Sequence, residues 1–290
     1  MNNQKITPVE FVASARSFVE EQSRVFASQY IKVKDKYEDN EYVQTIGRLL
    51  SALDLTTESI FVLVENEQVW DLSILLRSIL EGSARALYLI SAHTREEGWR
   101  RVDEYDNILL KSEMASLEQS ICRMAELTKG EESVDAETTE ISKDIMQYWK
   151  TGEGEGRLVK EVVKKWNFWN ISRVLRKECR QWAMSADTWE LRYATANVLI
   201  HKSSVGNKHV VEKYRSIRDG EISPLFSAAT SVEGCVVLQF DRLYLFSKRL
   251  SLDSEAITDV KSRHEDFFAM LAEIRAESER VTKRQLEENA

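Results

Sequence analysis

Two segments place ionisable side chains where a buried helix has little reason to hold them. The stretch Trp70 to Ile90 reads as a helix that is apolar around most of its circumference, through Leu72, Leu75, Leu76, Ile79, Leu80 and Leu87. Arg77 and Glu81 nonetheless sit four residues apart on one face, with Tyr88, Trp70 and Ile74. Burying an ion costs several kcal/mol unless it is paired and hydrogen-bonded, so the couple is either an internal ion pair or a charged wall of a polar cleft. In the second segment Tyr193, Asn197 and His201 follow at i, i+4 and i+8, one polar stripe along a helix. A histidine at a helix C-terminus is poised to carry protons near neutral pH, and equally well simply caps the helix. Arg77, Glu81, Tyr193, Asn197 and His201 are the candidate catalytic residues. His93, His209 and His264 lack comparable company along the chain, and no spacing of His, Cys or acidic residues suggests a metal or cofactor.

A third feature is electrostatic. Between Arg157 and Trp182 eight cations face two acids, a local charge of +6 in a chain whose net charge is -8. Lys164, Lys165, Arg173, Arg176 and Arg180 alternate there with Trp166, Phe168, Trp169 and Trp182. Single-stranded nucleic-acid surfaces use this mixture, cations for phosphates and rings for bases. The same residues in helices whose tryptophans pack inward give an identical sequence. Lys164, Lys165, Arg173, Arg176, Arg180, Trp166 and Trp169 are the candidate RNA contacts.

The Arg77-x-x-x-Glu81 helix with its downstream Tyr88-Leu89, the Trp-rich stretch, and Tyr193 followed by His201-x-Ser203 resemble a group of uncharacterised bacterial helical proteins classed as a domain of unknown function. That resemblance covers roughly 60 to 205 and implies a shared polar centre of Arg77, Glu81, Tyr193 and His201. Ala196-Asn197-Val198-Leu199-Ile200-His201 is also similar to the helix motif of the HEPN ribonucleases, common in bacterial toxins and phage defence, with Ala196 where that motif has arginine. The HEPN likeness implies metal-independent RNA cleavage by the 2′-hydroxyl, with His201 moving protons and an arginine from elsewhere, Arg77 or Arg192, holding the phosphate. The opposing expectation is a non-catalytic helical module that dimerises, or binds a protein partner, through its long C-terminal helices.

The elements that must position these residues are helices. The 290 residues include 2 prolines and 10 glycines, against roughly 14 and roughly 20 at average usage. Turns and hairpins draw on both residues, so the shortage predicts an all-α, irregular bundle of long helices with no sheet. Thr7-Pro8-Val9-Glu10 and Thr94 with Glu97 are capping boxes opening helices, the second running toward Leu127. Further helices are expected over the apolar-periodic stretch from Ile46 toward Val64, at about 140–150, in pieces over 157–182, over 187–201 capped by Asp187 or Ser185, from Ser223-Pro224 to about 249, and from a Ser254 cap into the charged tail. The organisation expected is one helical domain, 1–290, with a possible N-terminal bundle over 1–127 and a C-terminal part over 157–290. The acidic and glycine-bearing stretch 128–156 is the candidate mobile joint. No apolar run approaches the ~18 residues of a membrane span and the N-terminus has no signal-peptide layout, so a cytoplasmic protein is expected. Cys122, Cys179 and Cys235 are widely spaced and odd in number, which suits reduced packing residues.

Overall fold

The computed structural model describes residues 6–69, 72–110, 155–200 and 224–288, with a few isolated positions between them. All regular structure among these residues is helical. The helices are α1 (Pro8–Tyr30), the single turn α2 (Lys34–Tyr37), α3 (Glu41–Glu65), α4 (Leu72–Ile90), α5 (Arg95–Asp103), a π-helix (Glu104–Leu109), α6 (Glu155–Lys165), α7 (Phe168–Glu178), α8 (Arg180–Ile200), α9 (Pro224–Arg249), α10 (Ser254–Arg263) and α11 (Glu265–Glu288). No described helix is long and apolar enough to cross a membrane.

The chain divides into two compact units, one made of Met1–Ser91 and Leu175–Ala290, the other of Ala92–Val174. The boundaries fall at Ser91/Ala92 and inside α7. The positions expected to form a joint, 128–156, lie almost entirely outside the described residues, as do the helix expected at 140–150, the loop from Lys202 to Asn207, and Cys122.

In the first unit α4 packs against α3, α8 and α9, while α1 packs against α9 and α3. This central position follows from composition: Leu72, Leu76, Ile79, Leu80 and the run Ala86 to Ile90 leave α4 almost no polar face. At Gly82 an added Cβ would lie 2.5 Å from Leu53 Cδ2, so the missing side chain is what lets α3 approach so closely. α1 opens as expected, with Thr7 Oγ1 accepting from the Glu10 N–H at 3.2 Å and Glu10 Oε2 accepting from the Thr7 N–H at 3.0 Å. Its buried face, Phe11, Val12, Ala15 and Phe18, meets α11 through the stacked rings of Phe11 and Phe267, 5.5 Å apart. α9 is buried along its length, through Ala228, Val232, Cys235, Val236, Leu238 and Phe246. Cys179 and Cys235 are buried free thiols.

Three helix boundaries differ from expectation. α8 starts at Arg180, so Ser185 and Asp187 are interior residues and cap nothing; Asp187 instead binds Arg176 at 2.5 Å. Asp253, not Ser254, caps α10, its Oδ1 accepting from the Glu255 and Ala256 N–H groups at 3.1 and 3.2 Å. The last helix breaks at His264 into α10 and α11. In the second unit the helix opened by Thr94 widens after Asp103 into a π-turn, where Glu104 accepts from Lys165 Nζ at 2.6 Å and from Trp166 Nε1 at 3.0 Å.

Candidate functional site

Arg77 and Glu81 stand one turn apart on α4, yet they do not pair. Glu81 Oε1 accepts from Arg85 Nη2 at 3.3 Å. The order of charges explains the choice: an acid preceding a cation by four residues is the better arrangement on a helix, and Glu81–Arg85 has that order while Arg77–Glu81 reverses it. Arg77 turns instead to α8, where its guanidinium carbon lies 5.4 Å from the centre of the Tyr193 ring. Tyr193 is buried, and contacts of this kind are worth roughly 0.5–2 kcal/mol. The Arg77 Nε is buried without a hydrogen-bond partner, and among the described residues no carboxylate pairs with its guanidinium. Two segments more than a hundred positions apart thus meet, with a half-buried cation at their contact.

One turn beyond Tyr193, Asn197 is half-buried and its Oδ1 has no hydrogen-bond partner. An acceptor oxygen and a guanidinium N–H on facing helices are thereby left unsatisfied, at a cost of about 1–3 kcal/mol each. His201, four residues further, lies outside the described residues. Arg192, the other arginine considered for a phosphate, is committed elsewhere. It donates to the Thr230 carbonyl at 3.1 Å and to Glu233 at 3.2 Å, and lies over the Trp189 ring at 5.0 Å. Burial lowers its pKa from the usual arginine range, and Glu233 offsets part of that effect. At Gly234 an added Cβ would come 3.0 Å from Arg192 Nη1 and 3.2 Å from Leu76 Cδ1, so a side chain there would press on this cluster.

Most rings of the basic aromatic stretch are turned inward, so Trp166 is not placed to stack on a base. Trp166, Phe168 and Trp182 are at most 1% exposed. Trp166 in addition gives its indole N–H to Glu104 and packs on Tyr105 at 5.3 Å. Large aromatic rings gain most by burial, and here the core claims them. Of the candidate rings Trp169 alone is open, at 41%. Lys165 is held by Glu104, whereas Lys164 and Arg173 are exposed, the latter bonded to Asn170 at 3.3 Å. In the first unit Arg176 binds Asp187 and Glu190, and Arg180 is exposed.

Three polar clusters have no signal along the chain, because their members are brought together by tertiary packing. His264, at the break between α10 and α11, contacts Glu21 Oε2 through Nε2 at 2.7 Å and stacks on Phe18 at 5.1 Å. The histidine without sequence neighbours therefore has a partner 243 residues away. Arg242 is 1% exposed, gives Nη1 to Ser83 Oγ at 2.5 Å and lies 4.0 Å from Asp54. Burial brings its pKa down to about 10, and burial likewise pushes the neighbouring Asp241 carboxyl up to about 7. The third cluster is Glu104 with Lys165 and Trp166 in the π-turn. Among the described residues no group of three His, Cys, Asp or Glu side chains is arranged to hold a metal ion.

Fold and site together define an all-helical protein with a cation-bearing contact between two of its helices. No protein-family model, curated protein or solved structure matches the chain.

Proposed function

We propose that the α4–α8 contact is the centre of a metal-independent ribonuclease of the bacterial effector or phage-defence type, with Arg77 holding the phosphate and His201 moving protons. One observation carries this reading: Arg77 is a half-buried guanidinium that faces the Tyr193 ring in place of a carboxylate, Glu81 being paired with Arg85. A cation so placed attracts an anion, and a phosphodiester presents one at each nucleotide. Arg192 is excluded from that role by Glu233 and Thr230, so the arginine missing from the HEPN-like motif at Ala196 is supplied by α4. Asn197 offers an acceptor beside the same contact for a ribose hydroxyl. Lys164, Trp169 and Arg173 in the second unit, and Arg180 in the first, are exposed members of the basic stretch that RNA would meet.

A second reading, a non-catalytic helical interaction module, is favoured by a different observation: Glu81 and Tyr193 already have partners within the fold, and Tyr193 is closed off from solvent. Incubating labelled RNA with the protein in EDTA, beside His201→Ala, separates the two. Cleavage by the wild type that the variant lacks, with unchanged thermal stability, is the result expected of the ribonuclease. Intact RNA in both samples supports the module.

A further inference from the structure

Arg242 on α9 is 1% exposed, yet most of its hydrogen-bonding capacity is unused. From α4, Ser83 Oγ accepts from Nη1 at 2.5 Å and holds that end of the guanidinium. Nε and Nη2 are both buried without a hydrogen-bond partner. These two atoms form the side edge of the guanidinium, whose parallel N–H bonds match the two oxygens of a carboxylate or other oxyanion. Loss of the proton offers no relief, because with burial bringing its pKa down to about 10 the group is still charged near neutral pH.

No acidic group among the described residues fills that edge. Asp54, on α3, approaches Nη2 to 4.0 Å through Oδ1, beyond hydrogen-bond reach. Burial raises the pKa of its carboxyl and Arg242 offsets only part of the effect, whereas a carboxylate bound to an arginine titrates below its ordinary value. Asp241 precedes Arg242 on α9 without bonding to it. The Cys235 thiol is pushed up to about 12 by burial and so brings no negative charge. A buried cation in these surroundings is strongly destabilising unless something pairs with it.

We propose that the Nε–Nη2 edge of Arg242 binds a small oxyanion, of the size of formate or bicarbonate, held between α3, α4 and α9. The guanidinium supplies two parallel donors, Ser83 fixes its orientation, and the anion supplies the bonded charge that Asp54 and Asp241 do not. Enclosure limits the ligand: both donors are shut off from solvent, so nothing as large as a nucleotide fits against them. Asp54 stands at the boundary, its side chain 41% exposed and 4.0 Å from the guanidinium. Its negative charge opposes the incoming anion and keeps the affinity low. The site is independent of the ribonuclease reading, none of whose residues it uses.

Formate is the probe. Equilibrium dialysis with radiolabelled sodium formate, from about 1 to about 100 mM and at an ionic strength held constant with sodium chloride, is expected to find one formate bound per chain. Over the same range the melting temperature of the wild type is expected to rise by a few degrees beyond what chloride gives, by mass action. Arg242→Met, an apolar chain in place of the guanidinium, is expected to bind no formate and to lose the shift. Asp54→Asn changes a partly exposed residue, and is expected to fold and to bind formate at least about tenfold more tightly. A wild type without bound formate overturns the proposal, as does equal binding by Arg242→Met or a melting shift that chloride reproduces. Binding that appears only in Asp54→Asn also overturns it, and makes Asp54 the natural partner of Arg242.

Discussion

Replacing Asp241 by asparagine is expected to stabilise the protein, and to do so only above mildly acidic pH. Asp241 lies on α9 at 8% exposure, and burial pushes its carboxyl up to about 7, against the pull of Arg242 and Lys261. In the unfolded chain the same group titrates near 3.9. Between those values the folded protein holds a proton that the unfolded chain has released, so stability is greatest below about pH 4 and falls as pH rises to about 7. At ~1.4 kcal/mol per pKa unit the full loss is capped at roughly 4 kcal/mol, and relaxation around the ion brings the realistic figure to about 1–3 kcal/mol. Asparagine keeps the shape and has no such loss. Urea midpoints followed by circular dichroism, for wild type and Asp241→Asn at several pH values between 4.5 and 8, read the difference directly, and groups common to both proteins cancel. The gap is expected to be near zero at the acid end and to open in favour of the variant toward pH 8. A variant that loses stability relative to the wild type as pH rises toward 8 would refute the reasoning, because it would mean that Asp241 makes a specific bond as an anion.

Two further perturbations follow from the packing. Glu104→Ala is expected to cost about 1–3 kcal/mol in thermal or urea unfolding, since it removes the carboxylate that accepts from the buried Trp166 indole N–H and pairs with Lys165; no loss would show that the π-turn is not anchored by this carboxylate. Gly82→Ala gains helix propensity of about 1 kcal/mol but places a Cβ 2.5 Å from the Cδ2 of the buried Leu53, so overpacking of about 1–3 kcal/mol is expected to prevail and lower the melting temperature. A raised melting temperature would show that Leu53 has room to turn away.

The fold class was legible because it rests on local chemistry. Few prolines and glycines, the Thr7–Glu10 capping box and the mostly apolar surface of α4 each act within a few residues, and the helices follow. What depends on choosing between neighbours was not. Arg77 and Glu81 have the spacing of an ion pair, but Arg85 competes for the same carboxylate from the favoured side, and the outcome is decided by the order of charges along α4. Trp166 and Trp169 are three residues apart in one basic stretch, yet one is buried on Glu104 and the other open; the burial of each ring, not composition, separates them. Ser185 and Asp187 have cap-forming side chains, but α8 already runs through them from Arg180. The contacts of His264 with Glu21 and of Arg242 with Ser83 span 243 and 159 residues, and no periodicity reaches that far.

The measurement closest to the central proposal compares RNA cleavage by Arg77→Gln and Glu81→Gln, in EDTA under single-turnover conditions, with both variants checked for folding. If Arg77 holds the phosphate while Glu81 serves only Arg85, the first substitution lowers the rate about 100-fold or more and the second leaves it within a few fold of wild type. Equal rates for wild type and Arg77→Gln, or a larger loss from Glu81→Gln, would contradict it.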